Sequence, residues 1–125
     1  MYRAIILSSF LSLAVLAATA RSAPAAPPPS GQQLYAQRCA ACHGADGQGG
    51  AIGPALRGVA GRVAGRVPGY AYSRALKSAN LKLDRAGLDS FLTAPVKQVP
   101  GTKMPIGVPS ADDRAAIIRH LETLK

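Results

Sequence analysis

Two cysteines three positions apart, with a histidine directly after them, are the residues of this chain best suited to chemistry: Cys39-Ala40-Ala41-Cys42-His43. Three chemistries use thiols and an imidazole so spaced. A structural zinc site needs about four ligands. The chain holds two Cys and two His in all, so a closed zinc site would have to recruit His120 from the far end. A redox dithiol sits at the start of a helix that follows a strand, and no such pattern surrounds Cys39. The third chemistry is covalent haem attachment. The two thiols add across the haem vinyl groups, and the adjacent imidazole is then placed to bind iron from one face. The motif uses every cysteine of a small chain, which favours one haem c held through Cys39 and Cys42.

Iron held by His43 needs a sixth ligand or keeps an open site. Met1 lies in a segment with the marks of removal. His120 sits at the edge of an apolar helical stripe and reads as a packing histidine. Met104 lies in Val99-Pro100-Gly101-Thr102-Lys103-Met104-Pro105, a proline-bounded loop. A thioether is a soft ligand that favours ferrous iron and raises its potential. A loop methionine is ordinarily a packing residue, but the only internal Met of a haem-binding chain has a use for its sulfur.

The elements that must position these groups begin after residue 30. Arg3 followed by a nearly unbroken apolar run from Ala4 to Ala17, then Ala18-Thr19-Ala20, has the layout of a secretory signal peptide. We take residues 1–23 as that segment. The alternative is a retained anchor, although the run is short of the roughly 20 residues that span a bilayer. Residues 24–30 carry four prolines and read as an extended linker. Residues 31–125 are then one domain with a thin core of its own.

Ser30-Gly31-Gln32-Gln33 has the form of a capping box and predicts a helix from Gly31 to about Ala41. Residues 44–69 hold nine glycines and two prolines, so loops are expected there. Ser73 to Asn80 reads as a short helix. Asp84 caps another through Leu88, Phe91 and Leu92, closed by Pro95. Val99 to Pro109 is loop. Ser110-Ala111-Asp112-Asp113 reads as a second capping box, opening a helix with Ile117, Ile118, Leu121 and Leu124 on one stripe. No run alternates with strand period. The fold class is all-α with long connections, and loops of that length call for a large buried group to order them.

The formal charge is +9. Loss of Arg3, with or without Arg21, leaves about +8 or +7 on the mature chain. No basic cluster is interleaved with aromatics, which argues against nucleic acid. A basic surface suits docking onto acidic proteins by electrostatic steering. Arg38, Lys97 and Lys103 are the candidate docking cations; ordinary solvated side chains are the competing reading.

These residues together resemble the class I cytochromes c, in particular the mitochondrial cytochrome c and bacterial cytochrome c-two branch. The likeness adds Gly53-Pro54-Ala55-Leu56, Gly58-Val59-Ala60-Gly61-Arg62, Pro68-Gly69-Tyr70-Ala71-Tyr72-Ser73, Pro95 and Pro100-Gly101-Thr102-Lys103-Met104 to the cysteine motif, and it covers residues 31–125. It implies the class I cytochrome c fold, with terminal helices crossing at Gly31, Tyr35, Ile117 and His120 and loops wrapped around one covalent haem. It implies Cys39 and Cys42 as thioether anchors, His43 and Met104 as iron ligands, and the Pro54 carbonyl as acceptor from the proximal imidazole. Arg62, Tyr72 and Thr102 match groups near the haem propionates. Two positions depart from the family: Leu83 replaces a tryptophan that donates to a propionate, and Phe91 stands where a tyrosine is usual beside the methionine.

The expected function is a soluble, monomeric, periplasmic electron carrier of a respiratory or similar chain, not an enzyme. Its partners would be redox proteins with acidic docking surfaces, such as an oxidase, a cytochrome bc complex, a reaction centre or a periplasmic dehydrogenase. Alternatives are a haem enzyme or gas sensor with an open sixth site, or a membrane-anchored cytochrome if the N-terminal segment is retained. Mass spectrometry of the mature protein is expected to give a chain beginning after Ala20 or Ala23 plus one haem. A mass that includes Met1 to Ala20 would establish retention instead.

Overall fold

Ser30 opens the first helix. Its hydroxyl accepts from the Gln33 amide at 3.2 Å, and the Gln33 side-chain oxygen accepts from the Ser30 amide at 2.8 Å. This reciprocal cap satisfies two of the amides that a helix start leaves unpaired. The computed structural model describes residues 22–125, so the expected export segment up to Arg21 lies outside the described residues. Residues 22–29 are exposed and without regular structure, as their prolines require.

The helix expected to reach Ala41 is two helices. α1 spans Gly31–Arg38 and α2 spans Ala40–His43, with Cys39 between them at φ −116°. α3 is Arg74–Ser78, and the Ser73 hydroxyl caps it by accepting from the Leu76 amide at 3.1 Å. α4 is Arg85–Thr93, where the Asp84 carboxylate accepts from the Gly87 amide at 2.9 Å. Pro95 does more than stop α4. It begins a further short helix, α5, Pro95–Gln98, because its fixed φ suits a first helical position where no amide is needed. α6 is Ala111–Leu121. Its cap is only half of the expected box. The Ser110 hydroxyl accepts from the Asp113 amide at 3.2 Å, but the Asp113 carboxylate turns to Arg38, 3.4 Å away. Leu124 lies past the end of α6, yet still packs on the core. Among the described residues no strand forms. One isolated antiparallel bridge joins Val63 and Lys82.

The core sits where α1, α4 and α6 meet. Leu34 and Tyr35 from α1, Leu88 and Leu92 from α4, and Ile117, Ile118 and Leu121 from α6 are all buried. α1 and α6 approach closely at Gly31, where a β-carbon would fall on the Ala116 carbonyl oxygen. The Tyr35 and His120 rings pack beside this point, 5.1 Å apart between centroids and tilted by 55°. His120 is therefore a packing residue of the helix crossing.

A buried cation ties the remaining pieces together. The Arg114 side chain on α6 pairs with Asp89 of α4 at 2.8 Å and donates to the Val108 and Pro109 carbonyls at 3.0 and 2.8 Å. An ionised group so enclosed needs every one of these acceptors, and they fix the C-terminal end of the 99–109 loop to two helices. No helix among the described residues is long and apolar enough to cross a membrane.

Replacing Gly31 by Ala is expected to force α1 off α6 and to lower stability by about 1–3 kcal/mol, read as a lower denaturant midpoint at unchanged slope. A midpoint equal to that of the parent would mean that the crossing does not depend on the missing side chain.

Candidate functional site

α1 carries the chain from the cap at Ser30 to Cys39, and α2 follows at once, so the helix crossing dictates where the cysteine motif lies. Cys39 packs against the core, and Cys42 is partly buried one turn on. Burial pushes the Cys39 thiol up to about 11. A redox dithiol needs the opposite, a thiol depressed towards neutrality. Among the described residues, no three His, Cys, Asp or Glu side chains come together to hold a metal ion. The raised Cys39 thiol disfavours a redox dithiol, and the described residues offer no ligand cluster for zinc.

His43 is buried at the end of α2. Its Nδ1 lies 2.8 Å from the Pro54 carbonyl oxygen. A carbonyl can only accept, so Nδ1 is the donor, and in the neutral imidazole the lone pair on Nε2 is left available. That arrangement orients a ligating imidazole and raises its basicity. Gly53 makes it possible: a β-carbon there would stand 2.8 Å from the Cys42 carbonyl oxygen and 2.9 Å from His43 Nδ1. The segment that reaches round to Pro54 is held by its own backbone, with the Gly49 amide donating to the His43 carbonyl at 2.8 Å and the Leu56 amide to the Gly47 carbonyl at 2.8 Å. Tyr35 closes this side, its hydroxyl donating to the Gly44 carbonyl at 2.7 Å.

All eight residues singled out in the sequence line one cavity: Cys39, Cys42, His43, Pro54, Arg62, Tyr72, Thr102 and Met104. The rest of its wall is mainly apolar, with Leu56 and Val59 from the first long loop, Leu88 and Phe91 from α4, and Ile117 and Leu121 from α6. Leu83 and Phe91, the two departures from the family pattern, are both in this wall. The donor set and the apolar lining fit a haem. Thiols, an imidazole with a free nitrogen and a thioether share one cavity whose remaining wall is mainly apolar.

The few polar groups of the wall are engaged. Arg62 donates to the Ala55 and Arg57 carbonyls, each at 3.0 Å, bracing the turn that follows Pro54. Burial raises the Tyr72 phenol above its ordinary value. The Thr102 hydroxyl accepts from the Met104 amide at 3.4 Å.

Three features of the site escaped the sequence. Gly53 was legible only as part of a Gly-Pro turn, and its close approach to His43 needs the fold. Tyr70 donates to the Ile52 carbonyl at 2.9 Å and meets Tyr72 edge-on at 4.9 Å. Lys103 is not a free surface cation. Its ammonium donates to the Ala71 carbonyl and stands 5.9 Å from the centre of the Tyr70 ring, which ties the Met104 loop to the loop of Tyr70 and Tyr72.

A family model described as cytochrome c matches residues 29–125. A cytochrome c of Euglena viridis is 45% identical over 96 residues, covering 76% of this chain and 94% of its own length. A cytochrome c2 of Rhodoblastus acidophilus is 44% identical over 100 residues, covering 78% of this chain and 92% of its own. Among solved structures, cytochrome cH from Methylobacterium extorquens superposes with a TM-score of 0.68 at 41% identity, over 74% of this chain and 94% of that one.

Gly53→Ala is expected to displace the imidazole from Pro54 and to cost about 1–3 kcal/mol. In the proton spectrum, the slowly exchanging Nδ1–H resonance of His43 should then exchange faster with water. Retention of that resonance unchanged would show that the close approach is dispensable.

Proposed function

The chain belongs to the cytochrome c family, an electron carrier with one covalent haem c, and we propose that His43 and Met104 hold its iron from the two faces. When bound, haem supplies a one-electron couple at its iron. What this chain adds is positioning and insulation. Cys39 and Cys42 are the two anchoring thiols. His43 is oriented by the Pro54 carbonyl, a contact that keeps its proton on Nδ1. The buried residues of α4 and α6 exclude water from the wall, and low polarity around the site sets the potential together with the axial ligands. Arg62, Tyr72 and Thr102 are the groups we assign to the propionate side, where a carboxylate taken from water requires donors.

The observation that carries this reading is that Met104 lines the same cavity as Cys39, Cys42 and His43. With the His43 nitrogen and the Met104 thioether both engaged, a bound iron would have no position for substrate, which supports a carrier between redox proteins over an enzyme. We further infer that the protein acts as a soluble monomer in the periplasm, with the first 23 residues as a removable signal and residues 24–30 as a spacer. Support comes from the signal-like N-terminus and the exposed, irregular segment before Ser30. Partners with acidic docking surfaces suit the basic charge.

Met104→Ala is expected to remove the weak long-wavelength band of the oxidised protein that a thioether–iron bond produces, to lower the midpoint potential and to let exogenous imidazole bind. A variant with the spectrum and potential of its parent would dismiss Met104 as a ligand.

A further inference from the structure

Tyr35 carries a buried polar group that the site itself does not use. The residue is 1% exposed and is not part of the cavity wall. Its ring packs in the crossing of α1 and α6, against His120, and that packing needs the ring alone. The hydroxyl leaves the crossing and donates to the Gly44 carbonyl at 2.7 Å. Gly44 is the residue directly after His43.

Gly44 opens a loop that returns to His43. Residues 44–53 include five glycines, and Gly44, Gly47 and Gly49 take positive φ, so this backbone has little stiffness of its own. Ala45 and Asp46 are exposed, and side-chain burial adds little to the turn they form. Hydrogen bonds hold it instead. The Gly47 amide donates to the same Gly44 carbonyl at 3.2 Å, and the Gly47 carbonyl accepts from the Leu56 and Arg57 amides at 2.8 and 3.1 Å. Two residues before Leu56, the Pro54 carbonyl accepts from His43 Nδ1 at 2.8 Å. These bonds form a closed circuit, from Gly44 through Gly47 and Leu56 to Pro54 and back to His43.

The circuit is tied to the helices at several points. The Gly44 amide donates to the Ala40 carbonyl of α2 at 2.8 Å, and beyond the far end the Gly58 amide donates to the Leu124 carbonyl at 2.7 Å. Neither tie fixes the direction of the Gly44 carbonyl, because a glycine turns easily between its amide and its carbonyl. The Tyr35 hydroxyl does fix it, from a side chain packed where two helices cross.

We propose that the Tyr35 hydroxyl is a positioning group for the imidazole ligand: by holding the Gly44 carbonyl it keeps the Pro54 carbonyl on His43 Nδ1, and so sets the donor strength of Nε2 towards a haem iron. The inference rests on the reading of His43 as an iron ligand. A carbonyl accepting from Nδ1 makes the imidazole more electron-rich, and an electron-rich ligand favours ferric over ferrous iron. Loosening that contact therefore raises the midpoint potential. Tyr35 lies outside the cavity wall, so its hydroxyl acts through Gly44 and Pro54 and not on the iron.

Tyr35→Phe in the haem-loaded protein removes the oxygen and keeps the ring. Ile118→Val is the comparison. Ile118 is buried in the core on α6 but does not line the cavity, so its truncation lowers overall stability without reaching the circuit. Exchange of the His43 Nδ1–H with water is followed by proton NMR of the reduced protein, and the midpoint potential by voltammetry. Tyr35→Phe is expected to speed the exchange about fivefold to tenfold, as loss of one hydrogen bond would, and to raise the potential. Ile118→Val should leave both at the parent values well below the unfolding temperature. Support requires both changes. An exchange rate or a potential equal to the parent's, a lowered potential, or equal effects from Ile118→Val would make the hydroxyl a stabilising contact only and overturn the assignment. Ring resonances of His43 shifted by the paramagnetic iron of the oxidised parent report ligation itself. Their absence would sink His43 as a ligand, while the exchange rates would still show whether the hydroxyl holds the contact with Pro54.

Discussion

The crossing of α1 and α6 at Gly31 governs the rest of the molecule. Only where a side chain is missing can the Ala116 carbonyl come against the backbone of α1, and the Tyr35–His120 and Ile117 packing then locks the angle. From that joint the other positions follow by short covalent distances. Cys39 ends α1 and His43 ends α2, so fixing α1 fixes the cysteine motif. Ile117 and Leu121 on α6 supply cavity wall directly above the core. The joint is small, yet it positions both the chemistry and the cover over it.

The loops make sense only against this frame. From Gly44 to Ser73 the backbone holds no helix, and several of its glycines take positive φ, which other residues adopt at a cost. Such a segment buries few side chains of its own. It is ordered by backbone hydrogen bonds to itself and by two arginines that reach back to carbonyls. What it encloses is a cavity, and a haem c held there would add its apolar bulk to the small core at the helix crossing.

Much of this was legible from the residues. Caps at Ser30, Ser73, Asp84 and Ser110 marked four helix starts because the capping interaction is local, spanning three residues. The glycine-rich loops, and the absence of strands among the described residues, were legible for the same reason. The cavity-lining set emerged from a motif and a family likeness, and its members converge in space. Contacts between distant segments were not legible. Nothing near Pro95 announces that it starts α5 as well as ending α4. Nothing near Asp113 announces that Arg38 will draw its carboxylate away from the cap. Arg114 reads as one more surface cation in sequence, and only the fold surrounds it with Asp89, Val108 and Pro109. Lys103 and Gly53 are the same case: their roles depend on partners brought from other loops.

The crossing of the two terminal helices also has a consequence for how the protein is made. Its partners lie at opposite ends of the folded region, so the loop that must close is almost the whole domain, and closure carries the entropy of that length. A chain emerging from its N-terminus presents Cys39 and Cys42 long before Ile117 and Leu121 exist to cover them. Until α6 arrives, the two thiols stand on an open half-site. The last helix to be made is therefore the one that completes the cavity wall over the cysteine motif.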